Sequence, residues 1–311
     1  MPSAGFRVLW RVNMQADKGH IVVNDGVRLF FESAGNAGNP LVILNGFCLF
    51  QDFKYLAENR PVIALDLRSR GRSDYIADLS KLMRGVEQDA DDIELVRRHF
   101  GFGTVDLLAH SYAGIIAILY AQKHRSHVGR IVQIGSMQPN QSTRYASHLT
   151  NADDILQTFF ARFAALQTEG SALSAQEFCK KFWALLRHLY VFNPDDAEKL
   201  AHWESCHLES ELKLMPYWTQ ALMPSIQRIE FRSEDLAKIE SPVLVVHGTK
   251  DRSAPYGGAR DWTMLLPNAR LLTIHNVAHA PWIEAPDKVL APIKTFLDGT
   301  WPAAAERIES L

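Results

Sequence analysis

Short, nearly unbroken apolar runs recur along this chain, and they restrict its fold more than any other feature. The runs are LVILNG (41–46), PVIALD (61–66), VDLLAH (105–110), GRIVQIG (129–135) and PVLVVHG (242–248), with RLLTIH (270–275) as a weaker version. A strand that is covered by helices on both faces is apolar throughout, whereas a half-exposed strand alternates. The runs therefore predict buried strands of a mostly parallel sheet.

Segments with helical periodicity separate these runs. The segments are residues 82–100, 112–124 and 286–299. Before the first run, residues 20–23 and 27–35 flank Asn24-Asp25-Gly26 and predict a hairpin, because these turn residues tolerate a left-handed backbone. Strand alternating with helix predicts an α/β fold with a mostly parallel central sheet flanked by helices.

Residues 139–230 interrupt this alternation. They contain few β-branched runs and show helical periodicity at 155–167 and 178–192. We expect a helical lid inserted between two strands of one core. The predicted core then comprises residues 19–138 and 231–311, and residues 1–18 form an N-terminal tail.

Charge and composition exclude some classes of function. The chain has 33 basic and 35 acidic side chains and a formal net charge of -2, which argues against a protein that mainly grips nucleic-acid phosphates. No stretch approaches the roughly 18 apolar residues of a membrane span. The first twenty residues lack the apolar region and cleavage site of a secretory leader. We expect a small-molecule substrate and neither nucleic-acid nor membrane partners; the oligomeric state stays open.

Three cysteines, Cys48, Cys179 and Cys206, show no metal-ligand spacing. An odd count cannot form a closed disulfide framework. We therefore expect reduced thiols in a cytoplasmic protein.

A polar pair, His110-Ser111, interrupts the apolar stretch at 105–122 where strand-like residues give way to helix-like ones. The serine is either a satisfied turn residue or a nucleophile on a strained corner. Ala109-His110-Ser111-Tyr112-Ala113 resembles the G-x-S-x-G nucleophile elbow of the α/β-hydrolase superfamily. The flanking positions must be small because strand and helix pass close together there, and alanine is the smallest substitute for glycine.

Two further segments extend this resemblance, in the order serine, acid, histidine that the superfamily uses. HGTKDRSAP (247–255) resembles the acid segment of lidded serine hydrolases, and HNVAHAPWIEAPDKV (275–289) resembles their histidine segment. The resemblance implies a catalytic triad of Ser111, Asp251 and His279. Each residue taken alone could be an ordinary loop residue, but each follows a predicted strand and would reach the same edge of a parallel sheet.

The resemblance also implies an oxyanion hole formed by the backbone N–H groups of Phe47 and Tyr112. Asn45-Gly46-Phe47 stands where the family has His-Gly-x, so Asn45 replaces the usual histidine. ALDLRSRGRSD (64–74) resembles the family's D-x-R-G-x-G-x-S turn, which we interpret as structural. Cys48 is interpreted as a packing residue.

The lid carries the evidence on substrate. LAHWESCHLES (200–210) resembles the W-E segment of proline iminopeptidases, in which Glu204 would bind a substrate's amino group, and Glu230 is similar to a second such glutamate. Both could equally be solvated helix charges, and the H-G-G-P-G segment of that family is absent. Trp203 and Trp218 would line an apolar pocket or pack in the lid.

These observations predict a serine hydrolase of small, largely apolar esters or related acyl substrates that works through an acyl-enzyme without a metal ion or an organic cofactor. A proline iminopeptidase-like aminopeptidase is the first alternative. Because the fold also hosts cofactor-free dioxygenases and ligand receptors, a non-hydrolytic protein is the second.

Overall fold

The computed structural model describes residues 17–150 and 153–310. Its strands are β1 (Asp17–Val22), β2 (Arg28–Ala34), β3 (Leu41–Leu44), β4 (Val62–Leu65), β5 (Val105–His110), β6 (Val128–Ile134), β7 (Val243–Gly248) and β8 (Ala269–Ile274). They form one sheet in the order β1-β2-β4-β3-β5-β6-β7-β8. The first two strands pair antiparallel with their neighbours, and the pairings from β4 to β8 are parallel. The predicted fold class is confirmed.

Helices cover both faces of this sheet. They are α1 (Gly46–Phe53), α2 (Val86–His99), α3 (Ala113–Lys123), α4 (Asp154–Glu169), α5 (Ala175–Tyr190), α6 (Glu209–Leu212), α7 (Leu214–Tyr217), α8 (Met223–Gln227), α9 (Ser233–Leu236), α10 (Tyr256–Leu265), α11 (Pro281–Glu284) and α12 (Pro286–Leu297). Buried side chains of α2, α3 and α10 form the core on one face, and those of α1 and α12 form it on the other. Two-sided cover explains why β3, β4 and β5 are buried at every position.

The segment that we name the helical insertion, residues 139–230, contains α4 to α8 and connects two neighbouring strands, β6 and β7. Its last two helices, α7 and α8, are continuous, because a π-helical turn at Trp218–Leu222 connects them. Apolar residues of the insertion belong to the core clusters on both faces of the sheet. It is therefore packed against the core at the edge where the parallel strands end.

The structure differs from two expectations drawn from the sequence. The strand β1 begins at Asp17, so residues 17 and 18 belong to the sheet rather than to a tail, and residues 1–16 of the predicted tail lie outside the described residues. The prediction of three reduced thiols is wrong, because Cys179 of α5 and Cys206 form a disulfide. The insertion folds back over 27 residues to bring these cysteines together, and spacing along a sequence does not reveal such contacts.

Cys48 is a free and buried thiol. Burial, the largest influence, raises its pKa well above the ordinary value. A protonated thiol is a poor nucleophile, in keeping with a packing residue. No helix in the described ranges is long and apolar enough to cross a bilayer. The cytoplasmic location stays a prediction, and one of its premises, the reduced state of Cys179 and Cys206, no longer holds.

Candidate active site

Ser111 lies at the sharp turn between β5 and α3. Its φ of 58° is in the left-handed region that non-glycine residues rarely adopt, as expected of a nucleophile elbow. The neighbouring Ala109 and Ala113 are completely buried. A Cβ at Gly114 would lie 1.9 Å from Oγ of Ser136, so the helix could not pass this close to the loop after β6 with a larger residue. Small residues therefore permit the sharp turn between β5 and α3 on which Ser111 lies.

Asp251 and His279 form a buried hydrogen-bonded pair. The Asp251 Oδ2 atom lies 2.7 Å from Nδ1 of His279, and both side chains have no exposed surface. Oδ1 of Asp251 accepts hydrogen bonds from the backbone N–H groups of Ser253 at 2.7 Å and Ala254 at 2.9 Å. A second histidine, His247, approaches Oδ2 to 3.2 Å through its Nε2 atom.

These contacts decide the charge of Asp251. Burial is the largest single influence and raises its pKa, but His279 and His247 act together in the opposite direction. The resulting pKa of Asp251 is well below its usual value, so the carboxyl is ionised. An ionised Asp251 accepts the Nδ1 proton of His279 and leaves Nε2 as the nitrogen that can take up a proton.

The loops of Ser111 and His279 are joined through His110. Its Nε2 atom is 3.0 Å from the backbone oxygen of His279, and the two imidazole rings are 4.4 Å apart. Burial, the largest influence, holds the pKa of His110 well below its ordinary value, so the ring is neutral and donates Nε2–H to the carbonyl. The residue before the serine therefore positions the histidine loop.

Nε2 of His279 is buried and has no hydrogen-bond partner within residues 17–150 and 153–310. The hydrogen bond to Ser111 that a complete triad makes is accordingly absent from the contacts of the described chain. The structure brings Asp251 and His279 into contact and links His279 to the neighbour of Ser111. It leaves the final contact, between imidazole and hydroxyl, unformed. Catalytic hydrogen bonds are often long before a substrate binds.

Phe47 is the second residue of α1, and Tyr112 directly precedes α3. Neither backbone N–H makes a hydrogen bond of ordinary geometry to another described residue. Burial raises the pKa of Asp66, and the Phe47 N–H acts in the opposite direction. This donor therefore faces the Asp66 carboxylate as well. An N–H group without an acceptor at the start of a helix is suited to an oxyanion, which describes Tyr112, whereas the Phe47 N–H is shared with Asp66.

The turn after β4 is organised largely as its sequence predicts. Ser73 Oγ donates to the backbone oxygen of Asp66 at 2.6 Å, and the Asp66 carboxylate accepts the backbone N–H of Arg72 at 2.8 Å. Arg70 differs, because its side chain leaves the turn. It donates to the Tyr112 hydroxyl at 3.1 Å and to Oε1 of Glu211, in the helical insertion, at 3.2 Å.

The insertion places aromatic rings on both neighbours of Ser111. Trp203 is buried and packs edge-on against His110 at 5.6 Å, whereas Trp218, half-buried in the π-helical turn, packs edge-on against Tyr112 at 5.7 Å. Tyr190, which the sequence did not single out, packs on His279 at 4.6 Å. It ends α5, where only the helical periodicity is visible in the sequence.

The two glutamates predicted to bind an amine are differently placed. Glu204 follows Trp203 and is half-buried, and its carboxylate makes no hydrogen bond or ion pair with any residue that the structure describes. Glu230 is exposed between α8 and α9, and no described contact joins it to Ser111 or His279. A third glutamate, Glu211, has a fully buried side chain beside the site. Nothing in its sequence context distinguishes it from a surface charge of an amphipathic helix.

One cluster in the described chain, Glu94, His124 and His127, has the spacing of metal ligands. The Glu94 carboxylate accepts hydrogen bonds from Arg97 and Arg98 at 2.8 Å and from Tyr120 at 3.0 Å. Two guanidinium groups already neutralise this carboxylate and would repel a cation. We interpret the cluster as an ion-pair network on the surface of α2.

Comparisons with known proteins agree with this fold. The family model described as the alpha/beta hydrolase fold matches residues 39–286, and the chain belongs to this family. The pimeloyl-[acyl-carrier protein] methyl ester esterase of Nitrosomonas europaea is 25% identical over 85% of this chain and 97% of its own. Proline iminopeptidase PfmaB of Pestalotiopsis fici is 22% identical over 88% of this chain and 97% of its own.

A solved structure extends the likeness to three dimensions. The serine hydrolase CCSP0084 from Cycloclasticus zankles superposes with a TM-score of 0.69, with 17% identity, over 92% of this chain and 99% of that one. At this identity the likeness concerns the fold. The predicted resemblance to the α/β-hydrolase superfamily is confirmed, and a proline iminopeptidase is among the relatives.

Proposed function

We propose that this protein is a serine hydrolase that cleaves a small, largely apolar ester or related acyl substrate through an acyl-enzyme on Ser111. The observation that carries the proposal is the buried 2.7 Å contact between Asp251 and His279. Nε2 of His279 has no hydrogen-bond partner in the described chain. His110 joins the loop of His279 to the elbow of Ser111. No other arrangement in the described residues combines a base, its orienting acid and a strained serine turn.

The chemistry follows from this arrangement. His279 takes the proton of Ser111 through Nε2 as Oγ attacks the substrate carbonyl, while ionised Asp251 stabilises the charged imidazole. The backbone N–H groups of Phe47 and Tyr112 receive the oxyanion. His279 then protonates the leaving group and later activates the water that releases the acid.

The helical insertion acts as a lid in this proposal. Trp203, Tyr190 and Trp218 come from different parts of it, and each packs on Ser111's neighbours or on His279. Aromatic rings around the proposed nucleophile and base favour apolar acyl groups of modest size. The esterase among the relatives supports the same chemistry.

An aminopeptidase is the second candidate, and one observation favours it. The carboxylate of Glu204 is half-buried without a partner in the described chain, next to Trp203, which contacts His110. Such a carboxylate could bind the ammonium group of a substrate through a charge-assisted hydrogen bond. The relative named proline iminopeptidase PfmaB supports this alternative.

A side-by-side assay separates the candidates. The p-nitrophenyl esters of acetate, butyrate and octanoate are compared with proline and alanine arylamides, using the wild type, Ser111→Ala and Glu204→Gln. We expect ester turnover that Ser111→Ala abolishes and Glu204→Gln leaves within about threefold. Faster turnover of the amides, lost in Glu204→Gln, would favour the aminopeptidase. Ligand binding or oxygen uptake without Ser111-dependent hydrolysis would favour a receptor or a dioxygenase.

A further inference from the structure

The two residues proposed to carry the oxyanion hole are joined through their side chains. The Tyr112 hydroxyl receives a hydrogen bond from Nδ2 of Asn45 at 3.0 Å, and Asn45 begins the turn that leads into Phe47. The same hydroxyl receives the 3.1 Å hydrogen bond from Nη1 of Arg70. The Arg70 guanidinium also lies over the Phe47 ring, 5.1 Å from its centre. One buried cation thus contacts both residues.

Arg70 is in turn held by the helical insertion. Oε1 of Glu211 accepts the Arg70 Nε–H at 3.2 Å and the backbone N–H of Gly71 at 3.1 Å. Ser210, the preceding residue, donates from its hydroxyl to the backbone oxygen of Gly71 at 2.5 Å. These contacts fix the direction of the guanidinium and dock α6 on the turn that carries it.

Burial makes this ion pair sensitive to its partners. The side chain of Arg70 is 7% exposed and that of Glu211 is fully buried. Burial is the largest influence and disfavours the charge of Arg70, but Glu211, with smaller contributions from Tyr112 and other neighbours, keeps the pKa of the guanidinium well above its ordinary value. Without Glu211, Arg70 would be a buried cation that has lost its hydrogen-bonded carboxylate, so its guanidinium would lose its preferred position.

We propose that Arg70 is a positioning residue that orders Phe47 and Tyr112 for oxyanion binding, and that Glu211 of the helical insertion sets the orientation of Arg70. This inference rests on the proposed hydrolase function. The guanidinium acts through the side chains of both residues, since it contacts the Phe47 ring and the Tyr112 hydroxyl rather than their N–H groups. Arg70 and Glu211 therefore couple the packing of the insertion on the core to the anion-binding geometry of the site.

The planar shape of the arginine side chain explains why this residue type is needed. A guanidinium can stack on a ring while its edge donates in two directions, towards Tyr112 and Glu211. A lysine ammonium at the same place keeps the charge but cannot maintain all three contacts. Arg70→Lys therefore separates the effect of charge from that of geometry.

The test compares Arg70→Met, Arg70→Lys and a matched control, Arg68→Met. Arg68 is a buried arginine of the same turn that pairs with Asp25 and Asp92, and no described contact joins it to Phe47 or Tyr112. Removing one oxyanion donor lowers kcat about 100–1000-fold, so a loss of positioning should lower it about 10–50-fold. We expect that loss in Arg70→Met with KM changed less than threefold, a partial recovery in Arg70→Lys, and near-normal kcat in Arg68→Met.

A second readout separates positioning from general loss of structure. Phenylboronic acid forms a tetrahedral adduct on a serine nucleophile and places an oxygen in the oxyanion hole, so its inhibition constant should rise in Arg70→Met by the same factor as kcat/KM falls. A double-mutant cycle with Glu211→Gln completes the test, because Glu211→Gln should have no further effect once Arg70 is methionine. All rates are referred to active sites titrated with a fluorophosphonate.

The outcomes distinguish the two proposals. If the wild type has no turnover that depends on Ser111, the hydrolase function fails. If the wild type turns over esters but Arg70→Met retains its kcat and its affinity for phenylboronic acid, only the role of Arg70 is overturned. Additive effects of Arg70→Met and Glu211→Gln would overturn the part assigned to Glu211.

Discussion

The carboxylate of Asp251 and the imidazole of His279 meet at 2.7 Å with no exposed surface on either side chain, although 28 residues separate them in the sequence. Each follows the end of a parallel strand, β7 or β8, and these strands are neighbours in the sheet. The contact therefore follows from the register of the sheet. Its orientation leaves Nε2 of His279 free for proton transfer.

Replacing Asp251 by asparagine tests the role of this contact. Asparagine has nearly the same shape but no charge, so the imidazole loses both its fixed tautomer and the stabilisation of its charged form. We expect kcat for p-nitrophenyl butyrate to fall about 10³–10⁴-fold. Steady-state kinetics measures this loss, with Asp298→Asn, at the end of α12, as the control. A loss below tenfold in the folded Asp251→Asn protein would contradict the role.

Glu284 fixes the position of the His279 loop. Its carboxylate accepts the backbone N–H groups of Ala278 at 2.7 Å, Phe192 at 2.8 Å and Asn193 at 3.0 Å, and so joins the loop to the helical insertion. In Glu284→Gln one acceptor oxygen becomes a donor that faces an N–H group. We expect a loss of about 1–3 kcal/mol in the free energy of unfolding, together with a lower kcat.

Urea denaturation and ester kinetics on the same preparation measure both effects of Glu284→Gln. Glu177→Gln, which removes the exposed capping carboxylate of α5, is a control outside this contact. It should change kcat by less than twofold. Equal kcat values for Glu284→Gln and the wild type would show that Glu284 stabilises the loop without positioning His279.

Asp89 makes the stability of the fold depend on pH. It lies buried on α2, and its Oδ2 atom has no hydrogen-bond partner in the part of the chain that the structure describes. Burial, the largest influence, and the nearby Asp92 raise its pKa to about 8. The unfolded carboxyl has a pKa of about 3.9, so between these values the folded state binds a proton that the unfolded state has released.

The contribution of protonated Asp89 to the free energy of unfolding is therefore fully present below about pH 4 and decreases up to about pH 8. Asp89→Asn removes this titration. The free energy of unfolding of the variant should therefore increase relative to that of the wild type by about 1.4 kcal/mol per pH unit in that interval. Urea denaturation at pH 6 and pH 8 measures the difference, which should grow by about 2–3 kcal/mol. The same difference at both pH values would contradict a raised pKa.

The disulfide joins two parts of the helical insertion. Cys179 lies on α5, and Cys206 follows Trp203, which packs on His110. Closing a loop across 27 residues lowers the entropy of the unfolded chain, so reduction should cost about 3.5 kcal/mol of stability. Denaturation of Cys48→Ser with and without a phosphine reductant measures this cost without interference from the free thiol.

Thiol counting checks the same bond directly. The unfolded wild type without reductant should take up one iodoacetamide per chain, on Cys48, and three after reduction. The Cys48→Ser protein should take up none before reduction and two afterwards. Uptake of three by the unreduced wild type would contradict the disulfide.

Features of this fold that depend on local sequence pattern could be predicted from the sequence. The buried strands are visible as apolar runs, and Ser111, Asp251 and His279 follow three of them, so their placement at one edge could be expected. The contacts of Arg70 with Glu211, and of Cys179 with Cys206, could not. They join residues far apart in the chain, and they depend on how short helices of the insertion settle on the core. The sequence assigns Arg70 to its own turn, and only the packed structure directs its side chain towards Tyr112.

Covalent labelling of the serine tests the central claim most directly. The wild type, Ser111→Ala and His279→Ala are treated with a fluorophosphonate, and the intact mass and the modified peptide are determined. We predict one adduct per chain on Ser111 in the wild type and no adduct in Ser111→Ala. Labelling of His279→Ala should be slower than that of the wild type by a factor of about 100 or more. An adduct on another residue, or ester hydrolysis that persists unchanged in Ser111→Ala, would contradict the account.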